Sequence, residues 1–208
     1  EVKEGFIPGN SIRAVRRDVP GAVSVFVLPP AEPALGSTPR ATQGLLKDVF
    51  GYLLERVLLG TELYVLSPEF VALAVSTTVT VRDPSSEQET LRAVREALVS
   101  YLWPLAPGGF EERGWPLGED VRDAELITRV ARVPGVRAVN DLALFQRRET
   151  GWRRLPPGQP VTLNDYQLPD LRAAEATSGS GQAGPPRGTG PTPGDGGNVP
   201  APVIPDVC

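Results

Sequence analysis

The residues best equipped for chemistry sit around one short stretch. Glu111, Glu112, Glu119 and Asp120 lie in or just after a glycine-rich segment, residues 101–118, that reads YLWPLAPGGFEERGWPLG. Carboxylates grouped in this way are the raw material of acid–base catalysis or of an oxygen-ligand cation site. Their spacing matches no metal-binding loop, and Arg113 and Arg122 stand beside them as partners for ordinary surface ion pairs. Gly108, Gly109 and Gly114 do not make a phosphate loop either, because no lysine followed by a hydroxyl residue comes after them. The chain has no histidine and no methionine, and its single cysteine, Cys208, is the last residue. That composition excludes a disulfide framework, a zinc site built from cysteine and histidine, and every nucleophile–histidine dyad. No catalytic residue, cofactor or metal is expected, and the chain reads as a non-enzyme.

The same stretch makes better sense as architecture. Pro104 and Pro107 end a preceding helix, since proline lacks the N–H and clashes one turn back. Gly108 and Gly109 permit a reversal at positive φ. Trp103, Phe110 and Trp115 carry large apolar surfaces, worth about 25 cal/mol per Å² when buried. With Gly114, Pro116 and Gly118 they describe a loop folded back and pinned by aromatic anchors. Two uses compete: a packed connection that closes the core, or a protein-contact surface on which Trp115 meets a neighbouring subunit.

The elements around it follow from periodicity. Residues 22–28 alternate, with Val23, Val25 and Val27 on one side, and form a strand stopped by Pro29 and Pro30. Thr38 before Pro39 opens an amphipathic helix whose stripe runs through Leu45, Leu46, Val49, Phe50, Leu53, Leu54, Val57 and Leu58, closed by Gly60. A short strand spans residues 62–66, and a long one, residues 71–81, sets valines and leucine against a face of alanine, serine and threonine. Ser85 with Gln88, or Ser86 with Glu89, makes a capping box for a helix bearing Leu91, Val94, Leu98 and Leu102. After the loop, Asp120 caps a short helix with Leu126, Ile127 and Val130. A last major strand covers about residues 136–145, with a bulge or change of face near Asn140 and Asp141. Residues 146–158 read as a hairpin or loop and 161–171 as a further edge strand.

This order is α+β: a ferredoxin-like βαββαβ sandwich with an inserted aromatic/Gly-rich loop and short helix. Its open sheet face either meets solvent or is covered by another chain. Residues 1–18 form an N-terminal arm or the end of a preceding domain, and residues 19–172 the α+β domain. Residues 173–208 are a disordered-looking Gly/Pro-rich tail, too poor in large apolar side chains to repay its own ordering. Within it VPAPVIPDV is the exception, an apolar polyproline-like patch whose Val199, Val203 and Ile204 can dock on another surface. The net charge of −4 speaks against nucleic acid as the main partner, and no apolar run is long enough to span a bilayer. Glu1 in place of a starting methionine reads as a cut point in a longer protein.

Four segments in order, PGAVSVFVLPP, LLERVLLGTELYVLSPEFVALAVSTTVTV, LVSYLWPLAPGGFEERGWPLGEDV and VPGVRAVNDLAL, give the chain a family resemblance. Over about residues 19–144 it resembles the C-terminal part of the baseplate J-like proteins, wedge subunits of contractile phage tails and extracellular contractile injection systems. The resemblance implies a structural, non-catalytic role. Its partners would be other wedge subunits, hub or spike proteins and sheath proteins in a multi-subunit ring, with no nucleic acid and no membrane insertion. The chain would reside in the bacterial cytoplasm during assembly and then in a virion tail or a contractile particle. Two departures stand out: the larger N-terminal portion of such proteins is missing, and the Gly/Pro-rich tail is not part of their pattern. The alternative is a ferredoxin-like small-ligand-binding or sensor module. An RNA-binding sheet is disfavoured, because the first strand offers only Phe26 for base stacking and the long strand offers no aromatic.

Overall fold

A computed structural model of the chain describes residues 1–9, 14–148, 151–186 and 202–203. These residues form an α+β structure with three α-helices and two sheets, divided between two compact units.

The first unit contains Glu1–Pro30 and Pro39–Glu69, joined by a late stretch whose described residues are Pro202 and Val203. Its sheet has the order β1 (Val2–Glu4), β2 (Ala22–Phe26), β3 (Glu62–Leu66), with β1 antiparallel and β3 parallel to β2. Two parallel strands need a long crossover, here made by helix α1 (Gln43–Leu54). Both faces of β2 are covered. Val25 and Val27 pack with the cluster of Ala41, Leu46, Leu63 and Val65 beneath α1. Opposite, Phe26 meets Phe6 with ring centroids 5.6 Å apart, and the buried Ser24 hydroxyl donates to the Phe6 carbonyl at 2.6 Å. The wholly buried Leu46 is worth about 1.5–3 kcal/mol by burial alone.

Helix α1 is shorter than the stripe predicts. Thr42, not Thr38, caps it, its side chain accepting the Leu45 N–H at 3.2 Å. Regular helix stops at Leu54, the chain turns through residues 55–60, and Gly60 at φ +88 leads into β3. Leu58 and Leu59 consequently stand in solvent and not on a packed helical face.

The second unit combines Ala31–Thr38 with the chain from Phe70 onward. Its sheet has the order β6 (Gly151–Arg154), β5 (Val136–Arg148), β4 (Glu69–Val81), β7 (Gln167–Ser178). Helix α2 (Glu87–Tyr101) packs over β7 and helix α3 (Asp123–Ala131) over β5. The hairpin expected after residue 145 forms, with Arg148 opposite Gly151. So does the bulge: Thr78 pairs with Asp141 and Val79 with Val139, which leaves Asn140 as the extra residue.

The ferredoxin-like βαββαβ sheet does not form. β2 and β3 close on each other as neighbours in parallel, while β4 and β5 belong to another sheet. The parallel βαβ unit lays α1 over one face of β2 while Phe6 covers the other, and Pro68 has no N–H with which to carry a ladder from β3 into β4. The open, small-residue face of the long strand is also covered, and by the chain itself. Ala74 lies in a buried cluster with Ala143, Phe145, Ala173 and Ala183, against which Trp152 packs.

Local signals also shift. Ser86 stands at the N-cap of α2, as expected, but its side chain makes no capping bond; Asp83 caps the preceding 3-10 turn, Pro84–Ser86, accepting the Ser85 N–H at 2.9 Å. That bond holds the Asp83 carboxyl below the usual carboxylate range. Asp120 does not cap α3 but accepts the Leu163 N–H at 2.9 Å. The expected edge strand at 161–171 forms in its second half: residues 167–171 open β7, the edge strand beside β4, which runs past residue 173, while Val161 makes only an isolated bridge to Val121. Beyond it Ala183 is held too. Its N–H donates to Asp141 at 2.8 Å and its carbonyl accepts from Arg154 at 3.1 Å, while Arg154 and Asp141 pair at 3.0 Å.

Candidate functional site

The aromatic–glycine segment leaves the C-terminal end of α2 and is knitted by its own backbone. The Gly109 N–H donates to the Tyr101 carbonyl at 2.7 Å, Gly114 to Gly108 at 2.8 Å, and Trp115 to Trp103 at 3.0 Å. Gly118 then donates to Gln167 at 2.9 Å, at the start of β7. Glycine is required on steric grounds at several positions, Gly108 and Gly114 among them. A Cβ on Gly108 would lie 1.8 Å from the Trp103 carbonyl oxygen, and one on Gly114, at φ +106, would lie 2.5 Å from that of Pro104.

Both tryptophans face inward. Trp103 is 4% exposed, and its indole N–H donates to the Ala31 carbonyl at 3.3 Å. Trp115 is 5% exposed, stands edge-on to Tyr101 with centroids 5.6 Å apart, and donates its indole N–H to the Glu119 carbonyl at 3.0 Å. Each indole thus buries its ring and satisfies its one donor, the arrangement of an internal anchor. Tyr101 donates its hydroxyl to Glu125 at 3.4 Å. Burial first, and then the Glu125 charge and hydrogen bond, push its pKa up, with Arg129 acting the other way. Phe110 stays outside at 82% exposure, next to the paired and exposed Glu111 and Arg113. Pro116 is exposed as well.

The acidic residues do not converge. Glu111 pairs with Arg113 and Glu119 with Arg122 at 3.7 Å, while Asp120 is engaged by the Leu163 backbone. Among the described residues no group of three or more acidic, cysteine or histidine side chains is placed to hold a metal ion. No helix among them is long and apolar enough to cross a membrane.

Of the tail residues singled out, Val203 is placed in the first unit, bridged to Val65 of β3, and Val199 and Ile204 lie outside the described residues. The sequence reading missed the exposed end of α1 and the turn after it. Tyr52, Leu54, Leu58 and Leu59 are 62%, 49%, 82% and 106% exposed. An unbroken 3.6-residue stripe concealed them, and only the weak helix formers Gly51 and Gly60 hinted at an early stop.

No family model matches the chain. No curated protein matches it. Among solved structures, it is similar to a chain of the anti-feeding prophage (AFP) baseplate, seen in a cryo-EM structure with 6-fold symmetrisation, at 17% identity and a TM-score of 0.47. The match covers 74% of this chain and 29% of that one, so this chain spans less than a third of that neighbour's length. A superposition that loose carries nothing across about role.

Proposed function

We propose that this chain is a structural wedge component of the baseplate of a contractile tail or injection particle, acting through contacts with neighbouring subunits and not through catalysis. The observation that carries the reading is the ordered series of segments by which residues 19–144 or so resemble baseplate J-like proteins. Its partners on this reading are further wedge subunits, hub or spike proteins and sheath proteins, and its place is the assembled particle after assembly in the bacterial cytoplasm. Exposed apolar side chains supply the contact points on this reading. Leu58 and Leu59 stand out from the first unit at 82% and 106% exposure, and Phe110 from the second at 82%. Large apolar side chains anchor interfaces when they become fully desolvated. The contact role first assigned to Trp115 passes to Phe110, because Trp115 is spent inside its own unit.

The test is incorporation. Phe110→Ser, and Leu58→Ser with Leu59→Ser, made in the full-length protein in its native cells, should leave stability within about 0.5 kcal/mol. Each interface anchor is worth about 2 kcal/mol or more, so recovery of the variant in purified particles should fall at least about tenfold. Undiminished incorporation of both variants would remove these surfaces from the account.

A further inference from the structure

We propose that the outer edge of β3 is a strand-acceptor site whose resident occupant is the C-terminal apolar segment of this same chain. The inference does not depend on the baseplate reading.

The sheet order leaves β3 at an edge. Glu62 donates to Gly21 at 2.8 Å and Leu66 accepts from Val27 at 2.9 Å, so alternate residues of β3 direct their backbone groups toward β2. By the period of two, Leu63 and Val65 direct theirs outward. An edge of this kind is a template for a further strand. Val65 uses both of its groups on one residue: its N–H donates to the Val203 carbonyl at 3.1 Å, and the Val203 N–H donates back at 2.9 Å. This is a closed antiparallel pair, the unit step of strand addition. The side chain has a seat as well, since Val203 packs against the cluster of Ala41, Leu46, Leu63 and Val65 beneath α1.

The chemistry of the occupant fits an edge. Val203 offers a β-branched side chain to the apolar floor and one N–H to the acceptor. Pro202 beside it has no N–H to offer outward. The site therefore takes an extended peptide with a β-branched residue in the register of Val203, bordered by proline. One residue pair is a small contact, and it is favoured here because tethering keeps the segment at an effective concentration of the order of mM. A free peptide of the same chemistry can occupy the edge once the tethered segment is disabled.

The experiment reads amide hydrogen exchange at Val65 in the full-length protein, with Tyr64, which belongs to the β2 side of the strand, as the control for an intact sheet. Val203→Asp should speed Val65 exchange by about tenfold or more and leave Tyr64 unchanged, and the milder Val203→Ser should fall between. A synthetic peptide with the sequence of residues 199–208, carrying Cys208→Ser and supplied at about 1 mM, should restore slow exchange to the Val203→Asp protein. The same peptide with Val203→Asp should not. Equal Val65 exchange in the parent and Val203→Asp proteins would overturn the proposal, as would failure of the peptide to restore protection. A dimer seen by light scattering and abolished by Val203→Asp would overturn the same-chain assignment, since the occupant would then come from a second copy.

Discussion

Trp115 is the side chain on which the aromatic–glycine segment closes, and its surroundings determine what its loss should do. Ring burial against Tyr101 and the indole bond to Glu119 make Trp115→Ala a core truncation, expected to cost about 3–5 kcal/mol in chemical denaturation. A cost under about 1 kcal/mol would return it to the status of a surface contact. Gly108→Ala tests the same packing from the backbone side. A Cβ 1.8 Å from the Trp103 carbonyl cannot be accommodated by a rotamer change, so a loss of about 3 kcal/mol or more is expected. Ser76 points the other way. Its hydroxyl is buried and has no hydrogen-bond partner among the described residues, so Ser76→Ala should gain about 1 kcal/mol, measured as a higher denaturation midpoint.

At the scale of elements, α2 ends on a buried titratable side chain. Tyr101, the last residue of α2, holds its phenolic proton more tightly in the folded protein than in the unfolded chain, chiefly through burial. Its contribution is therefore complete below about pH 10, the ordinary tyrosine value, and is lost as pH climbs through the raised folded value. Thermal denaturation from about pH 9 to 12 should show a steeper alkaline decline for the parent than for Tyr101→Phe. Parallel profiles would contradict it. Elements were legible where the signal is local. The period of two located β3 and β4, and the broken alternation at Asn140 marked the bulge. Sheet membership was not legible, because whether β3 joins β2 or β4 depends on long-range pairing that leaves no periodic trace. The end of α1 was hidden by apolar residues that continue the stripe into solvent. The aromatic loop was recognised as a pinned structure but not as to which face its pins take, since Trp103 and Trp115 look alike whether they anchor inward or outward.

At the scale of the molecule, the chain is two units that each complete a sheet from distant parts of the sequence. The first recruits Val203 to the edge of β3, and the second draws residues as late as Ala183 onto its small-residue face. The residues after 172 are thus partly structural, which composition could not reveal: Ala173, Ala174, Ala176 and Ala183 are small enough to bury yet add little to any hydrophobic pattern. Of the large apolar side chains left outside, Leu58 and Leu59 in the first unit and Phe110 in the second are the most exposed, and the proposed role in assembly is assigned to them.

The most direct test of that role is to recover the full-length protein from its native cells by affinity pull-down, identify its companions by mass spectrometry and image the eluate by negative stain. The account predicts co-purifying sheath, tube and spike proteins together with ring- or syringe-shaped particles. A lone monomer or dimer without such companions would contradict it.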